Sequence, residues 1–240
     1  MNIKQIDKLI LVFLVLAIIF LNYSPIESFL EKTFSAKQEV LVERVIDGDT
    51  IESDIGNIRL LGINTPERGE RYSDEAKTFL ESRVFNKTVS LEFGKERHDK
   101  YNRTLAYIFL DNQNIDIELV ENGFANYYFP SGKDWHYPEF TKAWENCIEK
   151  NVNLCEKSLN ECSSCIILKD SNTLKNICNL ECNINEWKIK AEGRNNTIFP
   201  DKILGNEEEI LFKLELTETG DTIFLWDDEG KLIFWKSVND

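Results

Sequence analysis

Apolar and polar residues alternate in short bursts between positions 40 and 63, the period-two signature of strands that bury one face. Val40–Ile46 and Thr50–Ser53 flank an Asp-Gly turn, and Ile58–Ile63 follows a second turn at Gly56-Asn57, which predicts a three-strand meander. The rhythm then lengthens. Ala76, Phe79, Leu80, Val84 and Phe85 fall at helical spacing, so Asp74–Phe85 is expected to be a helix with Ser73 as its N-cap. Strands return at Thr88–Phe93 and Thr104–Leu110, and two more helices are expected near Ile115–Asn122 and Pro138–Lys150.

Five strands with a helix between the third and fourth fit a five-stranded OB-fold barrel closed by two further helices, an architecture whose open face often binds nucleic acid. Beyond Ser158 the pattern holds short strands: Cys165–Leu168, Glu186–Lys190, Thr197–Phe199, Ile210–Leu216, Thr222–Trp226 and Lys231–Lys236, with a clear hairpin from Gly220 to Leu232. They predict a small immunoglobulin-like β-sandwich with Trp187 in its core. The chain is thus expected to be mainly β with three helices. It divides into a leading segment 1–37, an OB-fold barrel domain over 38–157 and a β-sandwich domain over 158–240. Leu9–Leu21 is an unbroken apolar run behind Lys4 and Lys8. It reads as an uncleaved membrane anchor rather than a removed export signal, because no small-residue cleavage site follows it closely. Either would place both domains outside the cytoplasm.

The formal charge of −14 changes this picture in one respect. Both halves carry more acids than bases, which disfavours tight non-specific nucleic-acid binding through counterion release. An enzyme that must turn over needs positive charge only where chemistry happens. The two histidines, His98 and His136, are too few for a histidine-metal nuclease or a Ser-His-Asp hydrolase, and both are expected at the surface. All six cysteines fall between 147 and 182. Cys162-x-x-Cys165 and Cys178-x-x-x-Cys182 have zinc-like spacing, but in an exported chain the even count points to disulfides, with the pairing left open.

Three segments carry candidate chemistry: Asp47-Gly48-Asp49-Thr50, Arg59 to Glu67, and Asp99-Lys100-Tyr101-Asn102-Arg103. A phosphodiester under attack gathers negative charge and needs cations around it and an activated water beside it. Asp49, Asn64 and the Thr65 carbonyl are oxygen donors of the kind a hard cation such as calcium requires. Arg59 and Arg103 offer planar forks that match phosphate oxygens. Glu67, outside the donor set, is the candidate to orient or deprotonate water. Singly, each has an ordinary reading as a turn, a helix start or a solvated strand face. Their order and spacing together point to one chemistry.

The stretches Val45–Ile51, Ile58–Ile63, Thr65–Glu67, Asp99–Tyr107 and Leu119–Ala125 resemble the staphylococcal nuclease (thermonuclease) family, from Val42 to about Lys157. The resemblance implies calcium at Asp49, residue 64 and the Thr65 carbonyl, Glu67 as base, Arg59 and Arg103 as phosphate clamps, and Lys100 and Tyr101 beside the nucleotide. It also implies cleavage of DNA and RNA that leaves 3′-phosphate ends. Two departures stand out. Asn64 replaces the aspartate of the best-known members, and Arg68–Tyr72 is shorter than the prototype's mobile loop. The C-terminal segment resembles the lamin-tail domain through Asn179–Ile189, Thr197–Pro200 and the Gly220 hairpin. The expected protein is a calcium-dependent nuclease, secreted or held to the membrane by Leu9–Leu21, monomeric, with DNA or RNA as substrate and an open ligand for its C-terminal domain. The alternatives are a non-catalytic OB-fold nucleic-acid-binding module and an envelope adhesion protein.

Overall fold

The structure, a computed structural model, describes residues 38–193, 196–216 and 221–238. The Leu9–Leu21 run and Gly220 lie outside the described residues. Among the described residues no helix is long and apolar enough to cross a membrane.

Strands β1 (Gln38–Asp47), β2 (Thr50–Ser53) and β3 (Gly56–Leu60) form the expected meander. The second turn falls at Asp54-Ile55 rather than Gly56-Asn57, because Gly56 already pairs with Ser53. The predicted strand Ile58–Ile63 is broken. Gly62 takes φ 72°, and a Cβ there would lie 2.7 Å from the Phe140 ring, so only glycine lets the chain bend at that point. It restarts as β4 (Ile63–Asn64), outside the barrel. The helix α1 (Ser73–Val84) buries Ala76, Leu80 and Val84. Ser73 is its first residue and not its N-cap: Tyr72 precedes it at φ 68° and no side chain caps the helix.

Strands β5 (Thr88–His98) and β6 (Thr104–Leu110) complete the sheet in the order β3-β2-β1-β5-β6. Its ends join where β3 runs parallel to β6, with Ile58 opposite Thr104 and Leu60 opposite Ala106. The result is a closed five-stranded barrel. A short β7 (Gln113–Asn114) leads into α2 (Ile115–Glu121), whose start is fixed by Asn114: its side-chain oxygen accepts from the N–H groups of Asp116 at 2.9 Å and Ile117 at 3.1 Å. β8 (Asn126–Tyr127) pairs with β4, and α3 (Tyr137–Lys150) buries Phe140, Ala143, Trp144 and Cys147 on one face.

The C-terminal residues form further sheets. β9 (Ile166–Asp170), β10 (Thr173–Asn176) and β15 (Glu209–Leu211) make one; β11 (Cys182–Asn183) and β14 (Ile203–Leu204) a second; β12 (Lys188–Lys190), β13 (Asn196–Ile198), β16 (Asp221–Trp226) and β17 (Leu232–Val238) a third. Trp187, Ile189, Ile223 and Leu225 sit in an apolar cluster of their own, while Phe224, Trp226 and Leu232 belong to the barrel's cluster with Tyr127 and Trp144. Alternation along β16 therefore fills two cores. All six cysteines are oxidised, as Cys147–Cys155, Cys162–Cys182 and Cys165–Cys178. The zinc-like spacing is a pair of nested disulfides.

Candidate active site

Asp49 occupies the turn between β1 and β2, where the chain passes very close to its neighbours. A Cβ on Gly48 would lie 2.8 Å from Ala76 of α1 and 2.9 Å from Thr65, so a side chain there would push the turn away. The Asp49 carboxylate is 3% exposed. Its Oδ2 accepts from the Thr65 hydroxyl at 3.2 Å and the Thr65 N–H at 3.4 Å, and lies 2.9 Å from Arg59 Nη2. Its Oδ1 accepts from the Thr50 hydroxyl at 3.0 Å. Beside it, burial and the Asp49 charge both hold the Asp47 carboxyl above the usual range.

Arg59, on β3 opposite Thr50, turns inward. Nη1 donates to the Leu60 carbonyl, and Nη2 donates to the Ile63 carbonyl at 2.9 Å as well as pairing with Asp49. Three of its five N–H bonds are thus committed to holding the fork, which leaves Nε–H and one Nη1–H for a ligand, and the residue lines the cleft.

Asn64 is 1% exposed on β4. Its Nδ2 donates to the Gly193 carbonyl at 3.3 Å, and its Oδ1, equally buried, accepts no hydrogen bond. Turning the amide over would set oxygen against oxygen, so the chemistry fixes this orientation. A buried acceptor without a donor costs about 1–3 kcal/mol, and a cation at that point would remove the cost. Asp49 and Asn64 supply oxygen only, as does a Thr65 carbonyl, which suits a hard cation. The residues present therefore fit calcium. Among the described residues no three His, Cys, Asp or Glu side chains gather as a metal centre, here or elsewhere.

Glu67 stands exposed on the loop after Pro66 and does not line the cleft. Its N–H donates to Glu70 Oε2 at 2.9 Å, and the Glu70 N–H returns to the Glu67 carbonyl at 2.8 Å. Glu70 is in turn gripped by Lys188 Nζ at 2.5 Å. Burial would raise the Glu70 pKa, but the bonds from Lys188 and the Glu67 N–H outweigh it and hold the carboxyl below its ordinary range. The short loop is thereby tied to the C-terminal sheet.

Arg103, Lys100 and Tyr101 join Arg59 around a cleft of about 720 Å³. Arg103 Nε and Nη2 both lie 2.7 Å from Asp99 Oδ2, and Nη1 reaches the Thr50 hydroxyl at 3.4 Å. Tyr101 is 67% exposed, with Lys100 Nζ at 5.1 Å and Arg103 Cζ at 5.7 Å from its ring centre. An exposed ring flanked by cations can stack on a base of any sequence. Tyr128 also lines the cleft, whereas Tyr127 is buried in the core.

His136 corrects the expectation of a surface residue. It is 2% exposed, with Nε2 at 2.8 Å from Glu92 Oε1 and Nδ1 at 3.3 Å from Glu139 Oε2. Burial lowers its pKa, but the bond to Glu92 and that carboxylate's charge outweigh burial and raise it. The C-terminal groups beside the site also went unseen in the sequence: Lys190 donates to Asn126 Oδ1 at 3.2 Å, Asn126 faces Asn64 across the β4–β8 ladder, and Gly193 holds Asn64. Lys188-Ile189-Lys190 reads as a strand with a solvated face, and no local pattern links position 64 to position 193.

A closed five-stranded barrel with two arginine forks on one cleft, one of them paired with the buried Asp49 carboxylate, and with a donorless amide oxygen at Asn64, is the arrangement of a hydrolase of phosphodiester bonds, a nuclease. Residues 57–157 match the family model of the staphylococcal nuclease homologues. The chain is 33% identical over 130 residues to a thermonuclease of Staphylococcus intermedius, covering 50% of this chain and 77% of that protein. It is 34% identical over 128 residues to a thermonuclease of Staphylococcus hyicus, covering 48% and 76%. An uncharacterized endonuclease of Haemophilus influenzae is 32% identical over 123 residues, covering 49% and 66%. The chain belongs to the staphylococcal nuclease family.

Proposed function

We propose that this protein is a calcium-dependent nuclease that hydrolyses DNA or RNA outside the cytoplasm and leaves 3′-phosphate ends. The buried Asn64 oxygen without a donor carries this reading, in the residue before Thr65, whose N–H and hydroxyl bond the Asp49 carboxylate. Bound by Asp49, Asn64 and the Thr65 carbonyl, calcium would supply a fixed positive charge beside the scissile phosphate. Arg59 and Arg103 hold phosphate oxygens from the cleft side, their forks preset by Ile63, Asp49 and Asp99. Glu67 orients water and takes its proton, from a loop anchored by Glu70. Lys100 and Tyr101 receive the nucleotide. The three disulfides support an oxidising compartment, with Leu9–Leu21 as export signal or anchor. Residues 38–157 are read as the nuclease domain of a monomer and 158–240 as a lamin-tail-like sandwich.

The test is cleavage of labelled single- and double-stranded DNA and of RNA by the purified chain, with calcium or with excess chelator. Calcium-dependent fragments ending in 3′-phosphate are expected. Equal cleavage in chelator would sink the calcium reading, and binding without cleavage would leave a nucleic-acid-binding module.

A further inference from the structure

The segment 190–193 is threaded onto the two asparagines that face each other in the β4–β8 ladder. Asn126 Nδ2 donates to the Glu192 carbonyl at 2.8 Å, Asn64 Nδ2 to the Gly193 carbonyl at 3.3 Å, and Lys190 Nζ to Asn126 Oδ1 at 3.2 Å. Lys190 is 6% exposed. The charges acting on its ammonium are Asp49, Glu67 and Glu70, which attract it, and Lys188, which repels it. A buried cation from the C-terminal sheet therefore stands one hydrogen bond from Asn126, the ladder partner of Asn64, in a pocket it shares with Pro66, Glu70 and Lys188. Burial, with Lys188, lowers its pKa to about 8, and the three carboxylates oppose the fall, so most of the lysine is charged at neutral pH.

We propose that Lys190 is a positioning residue of the metal centre, its ammonium a built-in positive charge behind the Asn126–Asn64 pair, so that the C-terminal sheet sets how tightly the barrel binds calcium. The inference rests on the calcium-nuclease reading. An arriving dication meets the same ammonium as an opposing charge, and burial leaves little water between them to screen it. Asn64 acts in the same direction, because it brings an oxygen to the site without a negative charge. The two residues together place the centre in the weak range, with a dissociation constant of about 10⁻⁴ to 10⁻³ M. A purely structural lysine would instead serve only to bridge Asn126 to β12.

Titration calorimetry of calcium into the metal-free chain, at pH 7 and without nucleic acid, separates the two roles. Lys190→Gln removes the charge and keeps a donor for Asn126 Oδ1; it should bind calcium about tenfold more tightly. Lys190→Arg keeps the charge and should stay close to wild type. The calcium midpoint for cleavage should move with the dissociation constant. A folded Lys190→Gln protein with unchanged or weaker calcium binding would overturn the proposal while leaving the nuclease reading intact. Wild type that takes up no calcium would overturn both. If Lys190→Gln does not fold, Lys190→Met, which fills the same space, is read the same way. Failure of both to fold would make the lysine structural and reject the assignment.

Discussion

Arg59 grips Asp49 with one edge of its guanidinium and presents another to the cleft, so its substitution has two separable effects. Arg59→Ala should lower turnover about 10²- to 10³-fold. It should also cost about 3–5 kcal/mol of stability, because it strands a buried carboxylate. Arg103→Ala should lose comparable turnover with little loss of stability, since its partner Asp99 and the pair itself are partly open to water. Glu67→Gln, on an exposed loop, should cost about 10²- to 10⁴-fold in rate and leave the denaturation midpoint unchanged. Rates set beside urea unfolding curves check all three; a variant that cuts at wild-type speed has been given the wrong role. Asn64→Asp restores a charged ligand but opposes a carboxylate oxygen to the Gly193 carbonyl. Calcium binding should tighten while melting in chelator falls, and an unchanged calcium midpoint would mean that residue 64 is not a ligand. Glu192 gives a pH prediction. Burial, then repulsion by Asp221, raises its pKa from 4.5 to about 7. A folded-state pKa above the unfolded one adds stability at low pH that is lost as pH rises, here between about 4.5 and 7. Relative to Glu192→Gln, wild type should therefore lose melting temperature across that window, and parallel pH profiles would reject the shift.

The cysteines act through the elements they join. Cys147–Cys155 ties the end of α3 to the turn behind it, and both residues belong to the barrel's apolar cluster. Cys162–Cys182 and Cys165–Cys178 brace the start of β9 and β11 in the other cluster. Chain-entropy arguments give about 2.5 kcal/mol for the short first loop and about 3.3 kcal/mol for the 20-residue separation of Cys162–Cys182. Cys147→Ala with Cys155→Ala should therefore lower the stability of the barrel itself, by somewhat less than Cys162→Ala with Cys182→Ala lowers that of the chain. Melting curves of the two double variants decide, and a barrel indifferent to the first pair would contradict the shared cluster.

At the scale of the molecule, the barrel and the C-terminal strands meet through β16. Phe224 packs edge-on against Tyr127 and Trp144, and the Trp226 indole N–H donates to the Leu154 carbonyl at 2.9 Å. The Tyr127 hydroxyl lies 2.7 Å from the Thr222 hydroxyl. A chain ended at residue 157 would expose this aromatic face and remove the acceptor of Asn64. It should bind a hydrophobic dye and lose its cooperative transition, whereas residues 38–240 should unfold in one step. A truncated barrel that melts sharply and cuts nucleic acid would refute that coupling.

The meander, the three helices, the barrel class and four residues that line the cleft, Arg59, Lys100, Tyr101 and Arg103, were legible in the sequence. Each is encoded over a few neighbouring positions: alternation along β1 and β2, helical spacing in α1 and α3, a glycine beside Asp49. Short strands such as β4, β11 and β14 were not, because two or three residues carry no period and pairing alone defines them. His136 shows the same limit, since its burial depends on Glu92 arriving from a distant strand. What the sequence by itself determined was the family, with Asp49, Glu67, Arg59 and Arg103 as the candidates for its chemistry. What only the tertiary structure decided was that the Asn64 side-chain oxygen is left without a donor and that a buried cation stands behind its ladder partner Asn126. Both come from residues more than a hundred positions away in the chain, brought to the site by strand pairing and shared burial rather than by any local pattern.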